Sequence, residues 1–157
     1  MSDMIQLPGI TQPQLLTNPI YTGSNFNWGE ATKNGSRIPT RTIFDGIIIP
    51  ATQITNNIIS VARKMDEIRE IFGNKPITVT SWYRDPRSNR GVGGVSNSQH
   101  ILGWGVDFQI DGLDPNDVAS RLSKTWQGGL GDSSAFTHVD MRQLMGRSAV
   151  RWNYGNA

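Results

Sequence analysis

The sequence predicts an α+β fold, a small single domain with a mostly antiparallel sheet packed on helices. Three observations carry that prediction. One long stretch repeats apolar residues at three- and four-residue steps, at least three short stretches have β-strand character, and turns or loops join them in place of repeated crossover helices. A chain of 157 residues is the length of one ordinary domain and can bury a core unaided.

Residues 1–22 are rich in proline, threonine and glutamine and show no period, which reads as an irregular N-terminal arm before a domain over 23–157. Asn27, with Glu30 three residues on, is the pattern of a capping box, which gives Glu30 a structural role. The clearest helix covers 51–72: Ile54, Ile58, Val61, Ala62, Met65, Ile68 and Phe72 fall on one stripe, Pro50 suits its start and Gly73 its end. Its other face carries Arg63, Lys64, Asp66, Glu67 and Arg69, a solvated side.

The period then changes. Residues 76–83 are β-branched and aromatic and read as a strand. Glycines, serines and asparagines make 85–97 a long loop, and long ordered loops are often functional. A second strand follows over 105–110. Asp114 and Pro115 start a helix reaching about residue 126, a glycine-rich turn occupies 128–131, and a third strand runs over 135–141.

Composition removes several function classes. The chain has no cysteine, so a metal would have to be held by histidine and carboxylate. The net charge is only +2, with the basic residues scattered rather than grouped into the stripe of a nucleic-acid binder. No apolar run approaches the roughly 20 residues of a membrane helix. The start, MSDMIQLPGITQPQLL, lacks the positive charge and apolar block of a signal peptide. A monomer is expected.

Both histidines of the chain lie in short, distinctive segments, SQHILGWGVD at 98–107 and FTHVD at 136–140. Alternation puts Val106, Phe108 and Ile110 on one face of the second strand and Asp107 on the other. On the third strand, Phe136, His138 and Asp140 share a face opposite Thr137, Val139 and Met141. If these strands pair, Asp107 and His138 are neighbours and His100 folds in from the preceding loop, making three corners of a tetrahedral zinc site with the fourth open to water. The residues alone leave the plainer alternative open, two hydrogen-bonded polar side chains in a core.

The ordered set Ser81-Trp82-Tyr83-Arg84, Asn89, Gly93-Gly94, Ser98-Gln99-His100, Gly103, Asp107 and His138-Val139-Asp140 resembles the zinc D-alanyl-D-alanine peptidases. These are bacterial and bacteriophage enzymes, endolysins among them, with the signature S-x-H-x-x-G-x-A-x-D followed later by a histidine; the zinc fold of hedgehog signalling domains is related. The resemblance covers about residues 24–152 and departs from the signature at Gly105, where alanine is usual.

The resemblance implies zinc-dependent hydrolysis of peptide bonds in peptidoglycan stem peptides through a metal-activated water, as a D,D-carboxypeptidase or a crosslink endopeptidase. The metal ligands would be His100, Asp107 and His138. Arg84 would stabilise the oxyanion or bind the substrate carbonyl, with a surface ion pair as the alternative. Ser98 would hydrogen-bond substrate or cap its loop, while Asn89 and Gln99 organise that loop. The general base falls to Asp132, six residues before the last histidine, because the nearer family position is Ala135. Asp140 is the second choice, or else a partner that fixes a ligand imidazole. Trp82 and Trp104 are candidates to wall the cleft. Such an activity acts at the bacterial cell wall and requires an export or delivery route other than a standard signal. The missing acid at position 135 leaves room for an inactive wall-binding module or a phage structural component.

Overall fold

The computed structural model describes residues 3–154. In chain order the elements are β1 (Met4–Ile5), β2 (Gln14–Leu15), α1 (Trp28–Thr32), β3 (Thr42–Phe44), β4 (Ile47–Ile49), α2 (Ala51–Ile71), β5 (Ile77–Ser81), α3 (Pro86–Gly91), β6 (Val106–Ile110), α4 (Pro115–Leu122), β7 (Gly129–Asp132), β8 (Thr137–Val139) and β9 (Val150–Asn153). A five-stranded sheet runs in the order β5-β6-β8-β7-β9, and β1–β2 and β3–β4 form two small separate ladders. The architecture is α+β, and every neighbour in the main sheet is antiparallel except β9, which runs parallel to β7.

The long helix forms where its apolar stripe requires it. Ile54, Ile58, Val61, Ala62, Met65 and Ile68 are buried along α2, and Gly73 follows with φ 78°, the left-handed conformation that glycine adopts without steric cost. The same core cluster takes in Val106, Phe108 and Ile110 from β6. Each such side chain stabilises the fold by roughly 1.5–3 kcal/mol relative to exposure. Asp107, between them in sequence, is left on the opposite face of the sheet.

Residues 3–22 pack more closely than an arm. Ile5, Leu7 and Ile20 are buried in the core cluster, and the segment behind them is pinned to α2 through Asp66. That carboxylate accepts from Tyr21 Oη at 2.6 Å, Ser24 Oγ at 2.7 Å, Asn25 N at 3.0 Å and Asn25 Nδ2 at 2.9 Å. Asn27 and Glu30 form the expected capping box at the start of α1.

Three stretches differ from expectation. Residues 85–97 are not all loop: Asp85 accepts from Ser88 N and Pro86 occupies the first turn of α3, a cap-and-proline start masked by the glycines and serines around it. The glycine-rich stretch expected to turn at 128–131 instead supplies β7, because Gly131 and Leu130 pair with His138 and Val139 of β8. The edge strand β9 is short and mostly exposed, so it lacks the alternation that marks a half-buried strand.

Candidate metal centre

The sheet register builds the site. Asp107 of β6 lies directly opposite His138 of β8, so their side chains share one face. On the other side of β6, a register shift between Val79 and Ser81 brings Ser81 opposite Asp107. The chain then leaves β5 as Trp82-Tyr83-Arg84 along the rim of the site.

His100 arrives on a 3-10 turn, Gln99–Leu102, whose start is capped by the Ser98 hydroxyl accepting from His100 N. Gly103 ends it at φ 76°. A side chain on Gly103 would press into α2, its Cβ falling 2.8 Å from Ile58 Cγ1 and 3.1 Å from Ile54 O. This close approach seats the His100 turn against the core.

One ligand atom each from His100, Asp107 and His138 lies within 4.8 Å of the others, and all three residues are buried. Asp107 Oδ1 is 2.8 Å from His138 Nδ1 and 3.3 Å from His100 Nε2. The outer nitrogen of each imidazole is held: His100 Nδ1 is 2.6 Å from the Trp82 carbonyl, and His138 Nε2 is 2.9 Å from Asp140 Oδ2. A ring that donates outward turns its other nitrogen inward as an acceptor. Three acceptors, one of them a carboxylate, thus converge on one point, an arrangement that suits a cation. Two imidazoles and one oxygen donor fit zinc with a coordination position left open.

Charge balance agrees with that reading. Burial alone would raise the Asp107 carboxyl, but the adjoining His100 and His138 outweigh it and hold it well below the usual carboxylate range. Burial pushes the His100 imidazole down, only partly offset by Asp107. His138 is also buried, yet its hydrogen bonds to Asp107 and Asp140 push it up to about 9 in the absence of a cation. A cation between the donors would take the place of that proton.

Asp140 is the fixed point behind His138. Its side chain is fully buried, with Oδ1 accepting from Gly129 N at 2.9 Å and from Arg142 N at 3.1 Å and Nε at 2.9 Å, while Oδ2 accepts from Arg142 Nη2 at 2.7 Å. Burial would raise this carboxyl too, but Arg142 and His138 hold it far below its ordinary value. All of its hydrogen-bonding capacity is used, and it stands behind the imidazole, not in the cavity.

The structure does not bring Asp132 to the cluster. It pairs with Thr137, whose hydroxyl donates to Pro115 O at the start of α4. Burial and the charge of Asp114 raise the Asp132 carboxyl, which marks its surroundings as those of α4. It therefore occupies the sheet face opposite that of His138.

The remaining candidates do meet. Arg84 Nη2 is 3.5 Å from Asp107 Oδ2, its Nε donates to Ser81 Oγ at 3.1 Å and its Nη1 to Asn89 Oδ1 at 3.4 Å. Arg84 and Ser98 line a cavity of about 590 Å³ with His100, Asp107 and His138. Asn89 is buried and donates to Val95 O at 2.8 Å, organising the loop. Neither tryptophan considered for the cleft lines this cavity: Trp82 is in the core and donates to Gly103 O, and Trp104 faces a separate hollow near Pro50 and Met145.

The cleft wall comes instead from Phe136, Trp152 and Tyr154. Trp152 lies 5.2 Å from the His138 ring and 5.9 Å from Tyr154, which is 5.2 Å from Phe136, all between ring centroids. Strand alternation puts Phe136 on the His138 face, but Trp152 and Tyr154 were not anticipated; their two-residue spacing, which puts both on one side of an extended chain, is the available signal.

A family model described as Peptidase M15 matches residues 32–140, a span that contains Arg84, His100, Asp107, His138 and Asp140. A zinc D-Ala-D-Ala carboxypeptidase from Streptomyces albus G is 31% identical over 87 residues, which is 55% of this chain and 32% of that protein. The chain thus matches about a third of the length of that relative.

Proposed function

Because the chain belongs to the peptidase M15 family, we propose that it hydrolyses peptide bonds in peptidoglycan stem peptides, with zinc held by His100, Asp107 and His138. The observation that carries this reading is the convergence of those three buried acceptors at a cavity large enough for a peptide. The name of the Streptomyces relative, a zinc D-Ala-D-Ala carboxypeptidase, supports the choice of metal and substrate.

Zinc bound there would supply Lewis-acid polarisation of the scissile carbonyl and a more acidic water. The chain's own residues supply the rest. Trp82 O and Asp140 fix the two imidazoles and so the direction of their inward nitrogens. Arg84, held by Ser81, Asn89 and Asp107, presents a guanidinium to the cavity, where it would stabilise the negative charge that develops on the carbonyl oxygen. The Ser98 hydroxyl accepts from His100 N at 3.2 Å and keeps its own hydrogen to donate to substrate. Phe136, Trp152 and Tyr154 give the peptide an apolar wall and reduce access of water.

Incubation of the zinc-loaded protein with purified peptidoglycan is expected to release new amino groups, and His100→Ala to abolish that release. Hydrolysis by the variant at the wild-type rate would sink the zinc mechanism. Mass spectrometry of defined muropeptides then separates removal of a C-terminal D-alanine from cutting of a crosslink. Lysis of intact cells by the protein added from outside would extend the reading to an endolysin.

One observation favours a second reading, a wall-binding module. Among the described residues, Asp107 is the sole carboxylate lining the cavity, and a proton carrier of the usual kind has no evident place. Zinc and peptidoglycan binding with no turnover on any wall substrate would establish this alternative.

A further inference from the structure

We propose that Arg37 and Arg84 form a carboxylate-reading subsite beside the metal centre, one that selects stem peptides carrying a free carboxylate over their amidated forms. The choice of substrate rests on the peptidase reading above; the subsite itself rests on the following geometry.

A second cavity, about 520 Å³, adjoins the metal-centre cavity and shares Arg84 and Val92 with it as common wall. Arg37 lines this second cavity and is only 9% exposed. Its guanidinium makes one long hydrogen bond, from Nη1 to Tyr83 O at 3.5 Å, and it has no carboxylate partner among the described residues. A guanidinium carries five donors, and a buried charge left without a partner is costly. This one is withdrawn from bulk water yet keeps most of its donors uncommitted beside an open cavity.

The surroundings concentrate positive charge. Arg84 stands on the wall shared by the two cavities. Lys33 adds a further cation to the lining. Glu30, the carboxylate of this cavity, is committed to Asn27 N at 3.0 Å in the capping box. Asp107, the partner of Arg84, is one of the three converging metal donors. The lining therefore sets three cations, Lys33, Arg37 and Arg84, against the one carboxylate of Glu30, and a planar carboxylate is the group that the fork of an arginine binds best.

Stem peptides offer that group in two places, at the C-terminus and on interior residues, and the chemistry is the same. Three synthetic stem peptides separate them: one with all carboxylates free, one amidated at its C-terminus and one amidated at its interior carboxylate. The zinc-loaded protein is assayed for kcat/KM where the peptides are turned over, and for Kd by calorimetry where they are not.

Wild type is expected to prefer the free peptide by about tenfold over one of the amidated forms, the scale of a charge-assisted hydrogen bond. Which form is disfavoured identifies the carboxylate. Arg37→Gln should bring that ratio close to one, and Arg37→Lys, which keeps the charge without the fork, should leave it in between. The Lys variant carries the test if Arg37→Gln does not melt like wild type. An unchanged ratio in Arg37→Gln, an equal weakening of all three peptides, or the absence of any preference in wild type overturns the subsite. Preference in binding without turnover removes the peptidase reading and leaves the subsite standing; turnover without preference does the reverse.

Discussion

Asp140 and His138, two positions apart in the chain, are joined at 2.9 Å from Oδ2 to Nε2, and Asp140 is the fully buried member of the pair. The carboxylate has no face toward the cavity, and Arg142 neutralises it from behind at 2.7 Å. Its effect on chemistry passes through the imidazole it orients.

Asp140→Asn is therefore expected to weaken zinc binding by about 10–100-fold, the usual effect of losing a partner behind a metal-binding histidine. Competition with a chromogenic chelator measures this directly. Zinc affinity equal to wild type would show that Asp140 does not orient His138.

Zinc removal is expected to lower the melting temperature, since three acceptors are left facing one another, and re-addition should restore it by mass action on the folded state. His100→Ala should bind less than one equivalent of zinc and show no such gain. Metal analysis of purified protein together with paired melting curves tests both statements.

A side chain at Gly131 would displace the aromatic wall, because a Cβ there falls 2.6 Å from Tyr154 Cε2 and 2.8 Å from Trp152 Cε2. Gly131→Ala should raise KM for a stem peptide severalfold and change tryptophan fluorescence, with zinc stoichiometry kept. Unaltered KM would mean that substrate does not lean on that wall.

Asp66 supplies a pH-dependent clamp between α2 and the segment Tyr21–Asn25. Burial raises its carboxyl, but the hydrogen bonds from Tyr21, Ser24 and Asn25 together hold it below its ordinary value. A lowered folded value means that the stabilisation is fully present above the unfolded value of about 3.9 and is lost as pH falls through the folded value. Tyr21 is pushed up to about 12, first by burial and then by its bond to Asp66, so its contribution is full below about 10 and is lost as pH rises from there through the folded value. Asp66→Ala should cost about 1–3 kcal/mol and flatten the acid limb of a stability–pH curve; an acid limb identical to wild type would exclude the clamp.

Much of this site is legible in the sequence. Strand alternation around Asp107 and His138 is a local property, and it correctly put both on the sheet face away from Val106, Phe108 and Val139. The stripe of α2 was equally plain. What escaped depends on partners distant in sequence. Gly131 and Leu130 read as turn residues until β8 pairs with them, and nothing in FTHVD shows that Arg142 and Gly129 N will consume both oxygens of Asp140. Asp132 was placed by counting positions back from His138, yet the β7–β8 register turns it toward α4. Asp85-Pro86 did carry a helix start, but the surrounding glycines and serines masked it.

The direct pairing of Asp107 with His138 has a consequence for how the molecule assembles. Because side chains alternate strictly along a strand, a slip of β8 by one residue would send His138 to the α4 side and bring Thr137 to face Asp107. A cation gripping both residues is compatible with one alignment only, so it would act as a proofreader of strand registration and reward only the correctly zipped sheet.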